Sequence, residues 1–258
     1  MTIDVNAYLG HFAFRQLRHN RAPGLLALMD RAGIDRACVS SASAITYRNP
    51  QAGNEELVAE IKSHGDRLMG FAVINPVYAA WRDDLKMCRE KFGMRGVRLY
   101  PRWHNYRLMD PLCRDLVNEA AALGMAISIA ERVEDRRQGT WLLDVPDVDK
   151  EEIAALIKAV PEARFILMNG SGYTASSLGR KNNGLPANYV IDIALLTAEL
   201  ANETARLIEN LGANRVVFGT GIPFHYAGPA LVKMEILDAS DAVKEKIRWR
   251  TAAELLKL

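Results

Sequence analysis

The stretch GVRLYPRWHNYRLMDPLCRDLVNEAAALGMAISIA, residues 96–130, decides the fold. Two short apolar segments, GVRLY (96–100) and AISIA (126–130), flank an amphipathic helix pattern that follows Asp110 and stops at Gly124. The order strand, helix, strand is typical of α/β proteins with a parallel sheet.

Segments of the same kind recur along the whole chain. Several strand segments are almost continuously apolar, which indicates strands that are covered on both faces. The predicted strands are IDVNAY (3–8), RACVSS (36–41), LMGFAVI (68–74), GVRLY (96–100), AISIA (126–130), RFILMN (164–169), YVIDIA (189–194) and RVVFGT (215–220). The predicted helices are APGLLALMDRAG (22–33), NEELVAEIKSHG (54–65), DPLCRDLVNEAAALG (110–124), DKEEIAALIKAV (149–160), NETARLIENLG (202–212) and a terminal helix over 240–258.

Eight strands with helices between most of them predict an α/β fold, a single (β/α)8 TIM-type barrel closed by a C-terminal helix. An open, doubly wound sheet is the alternative, and it usually has a glycine-rich phosphate loop after its first strand. Here the corresponding segment NAYLGHFAF (6–14) holds one glycine. The sequence shows no linker or low-complexity segment, so residues 1–258 are predicted to form one domain.

Composition argues against several classes of partner. The 33 basic and 31 acidic residues are interspersed and leave a net charge of +2, so no basic stripe predicts a nucleic-acid partner. The longest apolar stretch, AALGMAISIA (121–130), is too short to span a membrane, and no signal peptide is evident. Cys38, Cys88 and Cys113 are far apart in sequence, which favours reduced thiols and a cytoplasmic protein. A homodimer is predicted only because dimers are common among such barrels.

The residues at the carboxyl ends of the strands are the candidates for chemistry, because active sites of these barrels lie there. They form a polar and aromatic rim suited to a small ligand with oxygen functions. The rim comprises Asn6, Tyr8, His11, Tyr100, Arg102, Trp103, His104, Tyr106, Glu131, Arg132, Asp135, Arg136, Asn169, Ser171, Tyr173, Asp192, Thr220, Phe224, His225 and Tyr226.

At the eighth strand, NRVVFGTGIPF (214–224) resembles the "dRvlFGSDyPf" segment of the amidohydrolase-related (amidohydrolase 2) family, which includes metal-dependent decarboxylases and hydrolases. The resemblance extends over most of the chain. TIDVNAYLG (2–10) is similar to "IDxHxHxG", GMRGVRLYP (93–101) to "GfrGvrlhP", GMAISIA (124–130) to "glPvxiH", RFILMNGSG (164–172) to "kfilaHgGg", and RTAAELLKL (250–258) to "NaarLLkL". The order and spacing of these motifs identify the chain as a member of the family.

The chain departs from the family at the metal positions that this resemblance implies. The family's metal-associated histidines and aspartate correspond here to Asn6, Tyr8, Ala130, Asn169 and Gly221. Asn and Tyr are weak ligands for a transition metal, and Ala and Gly offer no side-chain ligand. A site built from the loop histidines would be unusual for a barrel, so we predict no bound metal and no cofactor.

The first functional hypothesis is a metal-independent enzyme that acts on a small carbonyl or carboxylate compound, including a lactone. Arginines could bind a carboxylate, and His104, His225 or Asp192 could transfer a proton. The suitable reactions are lactone or ester hydrolysis, isomerisation and decarboxylation; metal-free lactone isomerases in the wider superfamily give a precedent by resemblance. The predicted substrate-binding residues are Asn6, Tyr8, Arg98, Tyr100, Arg102, Arg132, Asn169, Tyr173 and Thr220.

The second hypothesis is a catalytically inactive barrel that binds a small ligand or a protein partner. Individual residues also have structural alternatives. Tyr8 could fill the barrel, Asp192 could pair with an arginine or accept from a backbone amide, and His104 could be a solvated loop residue. Arg98 lies between Val97 and Leu99 on a strand, so its charge needs a partner whether it faces the lumen or a helix.

Overall fold

The computed structural model describes residues 1–135, 137–198 and 202–258, so Arg136 lies outside the described residues. The described residues form eight parallel strands in sequential order, alternating with helices, which confirms the predicted (β/α)8 barrel. The strands are β1 (Ile3–Leu9), β2 (Arg36–Ser41), β3 (Leu68–Val73), β4 (Gly96–Leu99), β5 (Ala126–Ala130), β6 (Phe165–Met168), β7 (Tyr189–Asp192) and β8 (Val216–Val217).

The helices pack around this ring of strands. Two of them, α3 and α7, were not among the helices predicted from the sequence. The helices are α1 (Ala22–Ala32), α2 (Pro50–Ile61), α3 (Trp81–Glu90), α4 (Pro111–Ala122), α5 (Lys150–Ala159), α6 (Glu203–Leu211), α7 (Gly228–Ile236), α8 (Asp241–Glu245) and α9 (Thr251–Leu256).

The start of α2 differs from the prediction. The helix begins at Pro50 rather than Asn54, because the Asn49 side chain accepts a hydrogen bond from the Gln51 amide and Pro50 takes the first helical position. Asn54 is instead buried inside the helix, where its side chain donates to the Val73 carbonyl and accepts from the Val73 amide. The helix therefore docks on β3 through an asparagine.

Side chains alternate between two apolar clusters, one inside the barrel and one between the strands and helices. On β4, Val97 and Leu99 pack against the helices. Tyr100, directly after that strand, belongs to the inner cluster. Because successive strand residues point to opposite faces, the position of Arg98 faces the lumen.

An irregularity in β1 changes this alternation at the mouth of the barrel. Its register against β2 shifts between Asp4 and Ala7. As a result Val5 and Tyr8, three residues apart, both belong to the inner cluster, which a regular strand would not allow. The shift turns Tyr8 into the barrel.

The barrel closes between β8 and β1, although β8 is shorter than predicted. The Val5 amide donates to the Phe218 carbonyl at 3.1 Å, and the Tyr8 amide donates to the Ile222 carbonyl at 2.8 Å. Lys246–Arg250, between α8 and α9, form a π-helical turn. The carbonyl of Ile247 in this turn accepts the Phe218 amide at 2.9 Å.

The end of the chain closes the bottom of the barrel, as predicted. Ala252 and Leu256 of α9 belong to the inner apolar cluster together with Ile3 and Val217. Within residues 1–135, 137–198 and 202–258, no helix is both long enough and apolar enough to cross a membrane.

Candidate active site at the barrel mouth

Four side chains at the ends of β1, β6 and β7 form one hydrogen-bonded group, the buried polar cluster of Asn6, Tyr8, Asn169 and Asp192. The Asn6 Nδ2 group donates to Asn169 Oδ1 and to Asp192 Oδ2, each at 2.7 Å. Asn169 Nδ2 in turn donates to the Tyr8 hydroxyl at 3.1 Å, and the Asn169 backbone amide lies 3.4 Å from Asp192 Oδ1. All four residues are fully buried. The structure thus brings together four of the predicted site residues.

Burial sets the protonation of this cluster. It raises the pKa of the Asp192 carboxyl to about 6, although hydrogen bonds from Asn6 and from the Asn169 amide oppose the shift. Burial also raises the pKa of Tyr8, so its phenol stays protonated at neutral pH. Asp192 can therefore exchange a proton near neutral pH, while Tyr8 remains neutral.

A second buried carboxylate, Asp4, supports the cluster from below. It accepts hydrogen bonds from the backbone amides of Asn6 at 2.8 Å and Thr220 at 3.1 Å, and from the Thr220 hydroxyl. Burial raises the pKa of Asp4 to about 7 despite these bonds. Thr220, predicted to bind substrate, thus points its hydroxyl at a carboxylate that joins β1 to the segment after β8.

Gly221 and His225 occupy the place where the family motif has an aspartate. Gly221 has a φ of 75°, and a Cβ atom on it would lie 2.6 Å from His225 Cδ2 and 3.5 Å from Asn169 Oδ1. The absence of a side chain at Gly221 therefore leaves room for the His225 ring beside the cluster. Burial, with help from the Arg15 charge, lowers the pKa of His225 to about 4, so the imidazole is neutral at neutral pH.

The residues at the implied metal positions do not fit a divalent metal. Ala130 and Gly221 provide no side-chain ligand atom, and Asn169 Oδ1 already accepts a hydrogen bond from Asn6. Asn6 Oδ1 has no hydrogen-bond partner among the described residues, but a neutral amide oxygen is a weak ligand for a transition metal. Tyr8 keeps its proton. Across the parts of the chain that the structure describes, no group of three or more His, Cys, Asp or Glu side chains could hold a metal ion.

Arg98 faces the lumen and is fully buried, and its partners are neutral. Its guanidinium donates to the carbonyls of Val5 at 3.1 Å and Ala7 at 3.0 Å, and to the Ser128 hydroxyl at 3.2 Å. It also lies 4.8 Å from the centre of the Tyr8 ring, a cation–π distance. These contacts tie β4 to β1 beneath the polar cluster.

Aromatic side chains cover the cluster on the solvent side. Phe224 packs edge-on against Tyr8 and Phe12, with ring centres 4.9 Å apart in both pairs. Phe12 in turn contacts Trp103 at 5.7 Å and Phe14 at 5.8 Å. Exposure rises outward, from 0% at Tyr8 to 36% at Phe14. We call Phe12, Phe14, Trp103 and Phe224 the aromatic plug.

A cavity of about 310 Å³ lies beside the plug, between the loops that follow β4 and β5. Three of the predicted substrate-binding residues, Tyr100, Arg102 and Arg132, line it. Trp103 of the plug and Ala130, at a position where the family motif has a histidine, also line it. The cavity is large enough for a small organic molecule and opens on the face where such barrels carry their active sites.

The two arginines of the cavity are held by carboxylates. Arg102 pairs with Glu152 at 3.0 Å, and Arg132 pairs with Glu131 at 2.8 Å and with Asp147 at 2.7 Å. Each arginine also has a buried Nε–H group for which the described residues offer no hydrogen-bond partner. A buried donor without an acceptor is unfavourable, and a ligand oxygen that reached either Nε–H would remove this cost.

The sequence-based prediction missed Lys150, at the start of α5. Its Nζ lies 3.0 Å from both carboxylate oxygens of Glu131 and 5.5 Å from the centre of the Tyr173 ring. Tyr173, predicted to bind substrate, is fully buried against Glu131, and a Cβ on Gly170 would collide with both. Its position in the sequence was a usable signal, because Lys150 lies at the start of the predicted helix that follows the loop after β5.

The other predicted histidine lies elsewhere on the mouth. His104 Nε2 lies 3.2 Å from the Ala44 carbonyl, to which it donates, and Nδ1 is buried with no partner among the described residues. Burial lowers the pKa of His104. His104 is thus neither in the polar cluster nor a solvated loop residue.

Arg15 is a second residue that the prediction missed. It lies in the loop between β1 and α1 and contacts two other loops of the mouth, through Glu134 at 3.2 Å and the Phe224 carbonyl at 2.9 Å. Its position in a strand-end loop was the only signal in the sequence.

A family model described as Amidohydrolase matches residues 4–258 of the chain. No curated protein matches the chain significantly. The solved structures, by contrast, include many similar folds.

Three of these illustrate the range. The 2,6-dihydroxybenzoate decarboxylase from Rhizobium is 18% identical, with a TM-score of 0.73 over 99% of this chain and 98% of that chain. A dihydroxybenzoic acid decarboxylase from Polaromonas sp. JS666, with bound manganese and the inhibitor 2-nitroresorcinol, is 19% identical, with a TM-score of 0.72 over 100% and 97%. The 4-oxalomesaconate hydratase from Rhodopseudomonas palustris is 14% identical, with a TM-score of 0.69 over 100% and 96%. At these identities the likeness shows the fold.

Proposed function

The chain belongs to the amidohydrolase family, and from this premise we propose that it is an enzyme acting on a small carbonyl or carboxylate compound without a divalent metal at the family's position. The observation that carries the proposal is the cavity of about 310 Å³ at the carboxyl ends of β4 and β5, which lies beside the buried polar cluster. The Arg132 carbonyl, in the cavity wall, accepts a hydrogen bond from Asn169 of the cluster at 3.1 Å.

Substrate binding is assigned to the arginines of the cavity. The unpaired Nε–H groups of Arg102 and Arg132 could donate to a carboxylate or carbonyl oxygen of the substrate, and Tyr100 forms part of the cavity wall beneath them. The decarboxylases and the hydratase among the similar structures have carboxylate compounds in their names, which favours a substrate of this class.

Proton transfer is assigned to Asp192. A buried carboxyl whose pKa is raised to about 6 can accept a proton at neutral pH and return it to a product. Tyr8 and Asn169 could donate hydrogen bonds to an oxygen that gains negative charge during the reaction. His225 has a neutral imidazole beside Asn169 and is the second candidate for proton transfer.

These roles suit lactone or ester hydrolysis, isomerisation by proton abstraction beside a carbonyl, or decarboxylation. Each can proceed with hydrogen bonds and cations that stabilise developing charge. The composition of the cluster supports chemistry of this kind, because two amides, a protonated phenol and one carboxylate are a poor ligand set for a transition metal.

A catalytically inactive barrel that binds a ligand is the second candidate. It is favoured by the burial of the cluster, in which the side-chain donors of Asn6 and Asn169 are used by neighbouring side chains and by the Arg132 carbonyl. An enzyme would have to open this arrangement to admit a substrate, whereas a binding protein could use the outer cavity alone.

A screen of lactones, sugar acids and aromatic carboxylates distinguishes the two candidates, with turnover and the melting temperature measured for each compound. The enzyme proposal expects turnover that persists in excess EDTA, is lost in Asp192→Asn, and is retained in Arg137→Ala, which changes an exposed arginine of the loop after β5. Compounds that raise the melting temperature without turnover would support the inactive barrel. Turnover that EDTA abolishes and manganese restores would contradict the metal-free proposal.

A further inference from the structure

The buried polar cluster is sealed from solvent by side chains that come from three separate loops. Phe12 and Phe14 belong to the loop between β1 and α1, Trp103 to the loop after β4, and Phe224 to the segment after β8. Their contacts form a continuous row of rings that runs from buried Tyr8 to the surface. Asp192 is fully buried and does not line the outer cavity, whereas Trp103 of the plug does.

The loop between β1 and α1, residues 10–21, is held to its surroundings by few contacts of its own. It contains a single isolated bridge, between Phe12 and Arg15, and most of its side chains are exposed. Its backbone is anchored by the Gly10 amide on the Asn20 carbonyl and by the His11 amide on the Ser43 hydroxyl. Phe12 and Leu17 are its buried apolar side chains. A segment whose other side chains are mostly exposed and which has few backbone bonds opens at lower cost than the strands of the barrel.

Arg15 supplies the contacts that join this loop to the rest of the mouth. Its Nε lies 3.2 Å from Glu134 Oε1, and Nη1 donates to Gln138 Oε1 at 3.2 Å. Nη2 donates to the Phe224 carbonyl at 2.9 Å, and the guanidinium lies 5.5 Å from the centre of the Phe224 ring. One side chain thus connects the loops that follow β1, β5 and β8.

We propose that residues 10–21 form a lid over the buried polar cluster, that Arg15 is the latch of this lid, and that the lid must swing away before a ligand reaches the cluster. The lid moves Phe12 and Phe14 out of the row of rings, while Phe224 and Trp103 stay on their own loops. Opening breaks the Arg15 contacts to Glu134, Gln138 and Phe224 and the ring contacts of Phe12 and Phe14 with Phe224 and Trp103. The anchors at Gly10 and His11 lie at the hinge end and stay in place.

The lid is tested with a thiol placed behind the plug. Asn6→Cys puts a small reactive group at a fully buried position of the cluster, and methyl methanethiosulfonate probes its accessibility with no substrate present. The native thiols of Cys38, Cys88 and Cys113 are buried and report any general unfolding in the same mass spectrum. The result is therefore independent of the proposed enzyme function.

Labelling at position 6 should become at least about tenfold faster when Arg15→Ala is added, which corresponds to about 1.4 kcal/mol of closing free energy. Arg21→Ala is the matched control, because Arg21 lies in the same loop but pairs with Glu60 on α2, away from the plug. It should leave the labelling rate unchanged, and the three native cysteines should stay protected in both variants.

Unchanged labelling in Arg15→Ala, equal acceleration in Arg21→Ala, or simultaneous labelling of the native cysteines would each overturn the proposal. If Asn6→Cys does not fold, hydrogen exchange of the otherwise unaltered protein replaces the thiol. Arg15→Ala and Glu134→Gln should then both speed exchange in residues 10–18 and 222–226 but not in β4 or β5. Exchange that stays slow in residues 10–18, or rises throughout the barrel, would contradict a latch.

Discussion

The Nδ2 atom of Asn6, on the first strand, lies 2.7 Å from Oδ2 of Asp192, on the seventh strand. The same amide group donates to Asn169 at the end of the sixth strand, also at 2.7 Å. Both N–H bonds of one asparagine thus connect three strands across the mouth of the barrel. At the implied metal position, hydrogen bonds from one amide group to an amide oxygen and a carboxyl oxygen link the strands.

Asn6→Ala should lower the free energy of unfolding by roughly 2–4 kcal/mol, because it leaves buried acceptors on Asn169 and Asp192 without a donor. Urea denaturation of the wild type and the variant measures this loss. Asn49→Ala serves as the control: it removes an exposed helix cap from α2 and should cost about 1 kcal/mol. Equal losses in the two variants would mean that the cluster does not stabilise the barrel.

Stability should fall as the pH rises from about 4 to about 6, because folding raises the pKa of Asp192 to about 6 while an unfolded aspartate titrates near 3.9. In this range the folded protein holds a proton that the unfolded chain has lost. Asp192→Asn should remove a contribution on the order of 3 kcal/mol from this decline. The raised pKa of Asp4 should add to the decline over the same range and continue it to about pH 7.

Melting temperatures or urea midpoints between pH 4 and pH 7 measure this effect. Asp66→Asn, at an exposed position, is the control for loss of a carboxylate in general. A variant Asp192→Asn whose stability declined as steeply as that of the wild type would show that Asp192 is already ionised at low pH.

Gly221→Ala should be more destabilising than Gly33→Ala, although both glycines have positive φ angles, 75° and 64°. A Cβ at Gly33 meets nothing within 4 Å, so that variant should show only the conformational cost of about 1–2 kcal/mol. At Gly221 the Cβ also meets the His225 ring, which adds roughly 1–3 kcal/mol.

The double variant of Gly221→Ala with His225→Ala tests the cause of that additional cost. Removal of the ring should restore the stability to near the level expected from the backbone alone. If the losses in free energy of unfolding of the two single variants simply add in the double variant, the imidazole does not occupy the space above Gly221. In that case the proposal that Gly221 makes room for the His225 ring is wrong.

Arg98→Met should destabilise the protein by at least about 3 kcal/mol, because it leaves the carbonyls of Val5 and Ala7 and the Ser128 hydroxyl without their buried donor. Arg137→Met is the comparison: its side chain is 88% exposed and pairs only at the surface, so it should cost less than about 1 kcal/mol. Urea denaturation compares the two, and a small effect at Arg98 would mean that water replaces its hydrogen bonds.

The strands were predictable because burial on both faces produces short apolar runs, and β2 and β5 have the predicted limits. The helix α3 was missed although Trp81, Leu85 and Cys88 are spaced for one buried face. Its other positions are so polar that the segment is easily taken for a loop. The start of α2 at Pro50 could also have been predicted, because an asparagine directly before a proline is a typical helix N-cap followed by the first helical residue.

Within the site, Asn6, Asn169 and Asp192 were predicted individually because they end strands, and their convergence follows from the barrel. The hydrogen bonds between them could not be predicted, because they depend on the irregular register of β1 and on the positive φ of Asn169. The aromatic plug and the Arg15 contacts come from loops of several strands, whose conformations no periodic pattern in the sequence specifies.

The π-helical turn before α9 should not be converted into a regular α-helix by protein engineering. Its extra residue directs the Ile247 carbonyl to the amide of Phe218, next to the seam where the first and last strands meet. Deleting one residue between positions 246 and 250 would yield a smoother helix and at the same time strip that amide of its acceptor. An irregularity in the C-terminal helix thus stabilises the closure of the barrel, and a variant designed to remove it would weaken the contact between the first and last strands.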